Sequence, residues 1–199
     1  MFIGIQTRRQ RRLLWATPLL FATLWVAYIV SAMRAPAGRI ATALDWGVLT
    51  GGLDSVAAWQ AAMADGSVLR LVSGLFLHAD WIHLLGNLVF LLIFGLPAER
   101  TMGGRRFLLL FLLGGAVANL AAVLAIGAPD RVVIGASGAV SAVIGAYLAL
   151  FPGARLGVVL PLGLFLEFVR VPAFLLIGLW VLLQVLFAYS GPAFGAVAW

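Results

Sequence analysis

A serine that attacks a carbonyl needs a proton acceptor, donors for the oxyanion and controlled access for water. Ser137 is the candidate nucleophile in this chain. It sits in Gly135-Ala136-Ser137-Gly138, between the polar pair Asp130-Arg131 and an apolar run that ends near Phe151. His83 and Asn87 are the candidate polar partners. They are four residues apart, so on a helix they share one face. His78 lies five residues before His83 and reads as a structural residue near the site. Asn119 and Gln184 read as hydrogen bonders between helices, and Arg70 and Glu99 as structural. Each of these also has a plainer reading, in which a serine in an apolar helix simply bonds back to a carbonyl. Two histidines and sparse acids form no metal-ligand cluster, and a chain without lysine has no phosphate-binding loop of the lysine type. No cofactor is expected.

The elements that carry these residues are apolar. Of the 199 residues, 64% are hydrophobic and 10% charged, and the mean hydropathy is +1.12. That composition predicts an all-α, polytopic membrane helical bundle forming one domain over residues 1–199. Without cysteine there is no disulfide and no thiolate site. The net charge of +6 does not point to nucleic acid, because every basic residue is an arginine at the end of an apolar run.

Five spans are expected. Span 1 runs from about Leu13 to Met33, behind the basic stretch Arg8, Arg9, Arg11 and Arg12. It is too long for a signal-peptide core and reads as a retained helix. Residues 34–70 are too polar to span and too apolar for a free linker. They predict short interfacial helices anchored by Trp46 and Trp59. Span 2 starts after Asp80, a candidate helix cap, and runs to about Pro97. Span 3 covers about Phe107 to Gly127, span 4 about Ala136 to Phe151, and span 5 about Val171 to Tyr189. Residues 153–170, with Pro161, Glu167 and Arg170, are too interrupted for a clean span.

The arginines predict the orientation. With the N-terminus in the cytoplasm, nine of the 13 arginines lie inside, and five acids lie outside. The starts of spans 2 and 4 then share the external side, bringing His83, Asn87 and Ser137 to similar depth. Span 4 has about 15 residues, or roughly 22 Å, against a ~30 Å hydrocarbon core. Ser137 is therefore expected below the membrane surface, at a helix N-terminus that favours developing negative charge. Ser137, Ser141 and Gly145 recur every four residues and predict a small-residue stripe for a closely packed helix.

These motifs resemble the rhomboid intramembrane serine proteases. His78 to Asn87 looks like that family's HxxxxHxxxN signature, Gly135 to Gly138 like its GxSG motif, and Glu99 to Gly103 like its ExxxG. Arg70 falls where the family has the arginine of a Trp-Arg pair, although the preceding residue is Leu69. The resemblance implies Ser137 as nucleophile, with an oxyanion hole from the Ser137 N–H and the His83 and Asn87 side chains. It implies that Arg70 and Glu99 hold the first loop. It also implies transmembrane-helix proteins as substrates, within a lipid bilayer such as the bacterial inner membrane, and a Ser–His dyad.

Two positions depart from the family pattern. Ser141 stands where some members carry an aromatic, and both histidines are already placed. The dyad histidine is expected on a sixth helix beyond Trp199, following the run-in Gly195 to Trp199. A different alignment sets Tyr189 at that position and makes the chain a catalytically inactive membrane-protein binder or chaperone.

Overall fold

The computed structural model describes residues 13–50, 53, 55–126, 131–162, 165–189 and 197–198. Arg8, Arg9, Arg11, Arg12, Gly51, Gly52, Asp54, Gly127, Asp130, Gly195, Ala196 and Trp199 lie outside the described residues. Eight helices are described. α1 spans Ala16–Ala32, α2 Pro36–Trp46 and α3 Val56–Ala64. α4 is Ser67–Phe76, α5 Trp81–Met102 and α6 Gly104–Ala125. α7 is Ser137–Leu150 and α8 Ala173–Tyr189.

Local chemistry sets the ends of these helices. Pro36 occupies the first turn of α2, where its missing N–H costs nothing. Ser55 caps α3 through a bond from the Ala58 N–H at 3.1 Å. Asp80, in extended backbone, accepts from the N–H groups of Ile82 at 2.8 Å and His83 at 2.9 Å. Gly103, with φ +88°, turns the chain between α5 and α6.

Among the described residues, only α5 and α6 combine 22 residues with the hydropathy of a full membrane crossing. α1 has 17 residues and α7 has 14. Midway along α5 the ladder widens to a π turn at Leu91–Gly95. Such a turn shifts the phase of the residues beyond it by up to about 100°, one residue's step. Both halves of α5 pack against α1 and α7.

α7 is the central helix. It buries Ser137, Ala139, Val140, Val143, Ile144 and Tyr147 against Leu84, Leu88, Phe94, Phe107 and Phe111. The outward faces stay apolar, as at Ile29 and Val30 on α1, Val89 and Leu92 on α5, Leu113 and Val117 on α6, and Leu175 and Leu179 on α8. With both faces apolar, hydrophobicity cannot select which side packs, and close backbone approach must. A Cβ on Gly114 would lie 2.5 Å from the Ala142 Cβ, and one on Gly115 2.9 Å from the Ala139 Cβ. A Cβ on Gly138 would collide with Ala118. The close-packing stripe is thus Gly138 with Ala142. On the predicted stripe, Ser141 meets α8, where the Trp180 Nε1 donates to its Oγ at 3.3 Å, and Gly145 has open space around it.

The all-α expectation is corrected. Three short strands, β1 (Val48–Leu49), β2 (Val132–Val133) and β5 (Val197–Ala198), form a sheet in the order β1-β2-β5. β1 runs antiparallel to β2, and β2 parallel to β5. The interrupted segment after α7 is an antiparallel hairpin, β3 (Arg155–Leu162) with β4 (Phe165–Pro172). Its β-branched residues and prolines suit a strand pair better than a helix.

Candidate active site

The site is built where three segments meet: the start of α5, the start of α7, and α4 with β1 from the first loop. Gly135 is the joint. Its φ of +122° is a conformation that L side chains rarely adopt. A Cβ there would lie 2.5 Å from Cε1 and 2.9 Å from Nε2 of His83. The His83 ring is therefore laid on the backbone two residues before Ser137, and only glycine leaves room for it.

His78 joins the same two segments. Its ring packs edge-to-face on His83, with centroids 5.0 Å apart and planes at 63°. The Nδ2 of Asn87 lies 3.0 Å from the His78 Nε2. The Ala136 N–H reaches that same nitrogen at 3.5 Å. Two donors on Nε2 make it the unprotonated nitrogen, with the proton on Nδ1. Burial pushes the His78 imidazole down to about 4, which keeps it neutral and able to accept. Asn87 is fully buried, and its Oδ1 has no partner among the described residues.

Ser137 begins α7 and is 9% exposed. The first-turn N–H groups there have no partner within the helix. The serine opens onto a cavity of about 220 Å³ that Gly135, Gly138, Ser141, Asn119 and Gln184 also line. A cavity of that size with several polar groups on its wall can hold water.

The first loop braces this arrangement. The Gly135 N–H donates to the Gly74 carbonyl at 2.9 Å. Asn119 Nδ2 on α6 donates to the Leu71 carbonyl of α4 at 2.9 Å, the interhelical bond its sequence position implied. The Thr50 N–H donates to the Arg131 carbonyl at 3.0 Å, and the Thr50 hydroxyl accepts from the Arg131 N–H at 3.1 Å. Arg70 Nη1 donates to the Leu44 carbonyl at 3.0 Å and so ties α4 to the end of α2.

Glu99 is placed differently from the expectation. It is 1% exposed, and its Oε1 accepts from the N–H groups of Trp15 and Ala16, its Oε2 from Thr17, all at 2.8 Å. It therefore caps α1 and does not hold the first loop. It is also remote from the site: 16 residues of continuous helix separate it from His83, about 24 Å.

The structure thus brings together Ser137, His83, Asn87, His78, Gly135 and Gly138, with Arg70 one layer away in the loop. Reading the sequence missed Thr50 and Gly74, whose roles are backbone pairings with residues far along the chain. It also missed Gln184 as a lining residue. Its three-residue distance from Val181 and four-residue distance from Trp180 gave it a helix face but not a neighbour.

With the fold and this geometry in hand, comparison with known proteins defines the class. The Rhomboid domain model matches residues 65–199. The chain belongs to the rhomboid family, and its apolar helices are those of an integral membrane protein. It is 35% identical over 96 residues to the Bacillus subtilis (strain 168) protein named "Putative rhomboid protease YdcA", a stretch covering 48% of this chain and 47% of that one. It is 38% identical over 93 residues to Rhomboid-like protease 3 of Toxoplasma gondii, covering 47% and 35%. RHOMBOID-like protein 5 of Arabidopsis thaliana is 33% identical over 85 residues, covering 43% and 28%. The matched stretches span about half or less of these relatives.

Proposed function

We propose that the chain is the core of an intramembrane serine endopeptidase that cleaves transmembrane segments of other membrane proteins. The observation that carries this is Ser137: a buried hydroxyl at a helix N-terminus, opening onto a polar cavity, two residues from the glycine on which His83 lies. Ser137 Oγ attacks the scissile carbonyl and its proton passes to a general base. The oxyanion is held by the Ser137 N–H with the His83 and Asn87 side chains. The C–N bond then breaks, the amine leaves with the proton, and water hydrolyses the acyl-serine.

Both histidines of residues 1–199 are engaged at the α5–α7 junction. By the resemblance to the rhomboid proteases, the general base is a third histidine on a sixth transmembrane helix, outside residues 1–199. Five helices of residues 1–199 cross the membrane, with the N-terminus cytoplasmic and the site open to the external side of a bacterial inner membrane. Substrate helices unwind locally to present the bond, so glycine-bearing transmembrane segments suit it.

The test uses the full-length protein in detergent or bilayer with a fluorophosphonate probe and a transmembrane substrate. Covalent labelling at Ser137, with Ser137→Ala abolishing both labelling and cleavage, is the expected result. A full-length protein that carries the third histidine, binds membrane proteins and never labels would be a binder without chemistry, and the proposal would fall.

A further inference from the structure

α2 is an unusual surface element, since none of its residues is buried. Ile40 is 63% and Leu44 46% exposed, one turn apart, and Met33 just before the helix is 83% exposed. Ile29 and Val30 near the end of α1 are exposed as well. Exposed apolar side chains at the end of an apolar helix suit acyl chains.

Two arginines stand beside that row. Arg39 lines a cavity of about 280 Å³ together with Ser31, Thr42 and Leu77. Its Nη2 donates to the Ala79 carbonyl at 2.7 Å. Arg34 Nη1 donates to the Thr42 hydroxyl at 3.0 Å, which brings a second guanidinium to a residue lining the same cavity. Among the described residues, the partners of these two guanidinium groups are neutral. The neighbouring Asp80 is committed to the N–H groups of Ile82 and His83. Two guanidinium forks next to a cavity, without a carboxylate and bordered by exposed apolar side chains, match a phosphate that carries acyl chains.

We propose that Arg34 and Arg39 bind the phosphate of an anionic phospholipid in the leaflet on the Ser137 side, its chains lying along Ile40 and Leu44. The Arg39–Ala79 bond makes this lipid a brace for the active site. Ala79 lies between His78 and the Asp80 cap of the helix that carries His83 and Asn87. The lipid site stands whether or not the chain is a protease, because its readout is binding.

The full-length protein is reconstituted in phosphatidylcholine nanodiscs with increasing phosphatidylglycerol. Quenching of Trp46 by brominated phosphatidylglycerol is measured as the difference from Trp46→Phe. Arg34→Gln/Arg39→Gln is expected to weaken the apparent affinity about tenfold, for two cations at about one kcal/mol each or less. Arg34→Lys/Arg39→Lys should recover most of it, and Arg105→Gln/Arg106→Gln should leave it unchanged. Should the double Gln variant not fold, Arg34→Gln alone is expected to lose about threefold. Equal quenching by brominated phosphatidylcholine, or by phosphatidylglycerol in the Gln variants, overturns the proposal. Displacement of phosphatidylglycerol by millimolar inorganic phosphate overturns the lipid assignment, because the ligand is then free phosphate.

Discussion

At the scale of single residues, the site depends on two unreplaceable fits. Gly135 meets two demands at once, a φ of +122° and contact with the His83 ring. Gly135→Ala introduces backbone strain of about 1–3 kcal/mol and pushes the imidazole away. We expect probe labelling of Ser137 to slow at least about 100-fold, since displacements near 1 Å cost that much in oriented sites. The melting temperature should fall by only a few degrees. Labelling at the parent rate would show that His83 need not lie on this loop. His78 is the second fit. Its imidazole is held down to about 4 against an ordinary 6.5, so the unfolded chain binds the extra proton between those values. The sign follows: its contribution is complete above pH 6.5 and is lost as pH falls toward 4. The loss is on the order of 3 kcal/mol over that window. Thermal unfolding scans of His78→Gln should show a flatter dependence over pH 4–6.5, and an unchanged slope would mean another group carries it. The serine, histidines and asparagine were legible in the sequence because polar groups in apolar helices are costly and few. Gly135's role was legible only as part of a motif, because its reason is a ring 52 residues away.

At the scale of elements, helix ends and helix contacts decide the packing. Glu99 satisfies three N–H groups at the start of α1, and no residue near it in sequence announces that. A buried carboxylate's partners, when they are backbone groups 82–84 residues distant, leave no compositional trace. Glu99→Ala leaves those donors buried without an acceptor, at about 1–3 kcal/mol each before relaxation. We expect α1 to detach first, read as loss of protease protection at residues 13–33 in denaturant titration, with total stability lowered by about 3 kcal/mol or more. Retained protection would mean that water replaces the cap. The apolar runs predicted α1, α5, α6, α7 and α8 to within a few residues because their hydropathy is continuous. Which face packs was not predictable, because small residues recur at four-residue spacing on two faces of α7. Ser137-Ser141-Gly145 and Gly138-Ala142 are equivalent patterns until α6 supplies Gly114 and Ala118. Gly138→Leu should therefore unfold the α6–α7 contact, while Gly145→Ala should be neutral or stabilising by up to about 1 kcal/mol. Equal destabilisation by the two in unfolding titrations would reverse the assignment of faces.

At the scale of the whole molecule, the first loop is part of the scaffold. β1 pairs with β2 immediately before the Gly135 turn, and Gly74 of α4 accepts the Gly135 N–H. The short helices of this loop were legible from its mixed composition. The sheet was not, because two-residue strands have no periodicity to read. The pairing has a functional consequence that a cysteine-free chain makes easy to test. Leu49 faces Val132 across the antiparallel pair. The bonds at Thr50 and Arg131 make the Leu49–Val132 position the non-hydrogen-bonded one, with Cα atoms about 4.5 Å apart, inside the disulfide range. Leu49→Cys/Val132→Cys in the full-length protein should oxidise readily and raise unfolding resistance by about 2–4 kcal/mol. If the β1–β2 pair is fixed during turnover, the oxidised protein keeps its labelling rate and its cleavage of a transmembrane substrate. If substrate instead enters by peeling this loop from the pre-serine segment, oxidation stops cleavage and reduction restores it, while labelling by the small probe continues. We expect the first outcome, because Gly74, Leu71 and Thr50 hold the loop by bonds to Gly135, Asn119 and Arg131. Entry would then be left to the side of the cavity that Gln184 of α8 lines.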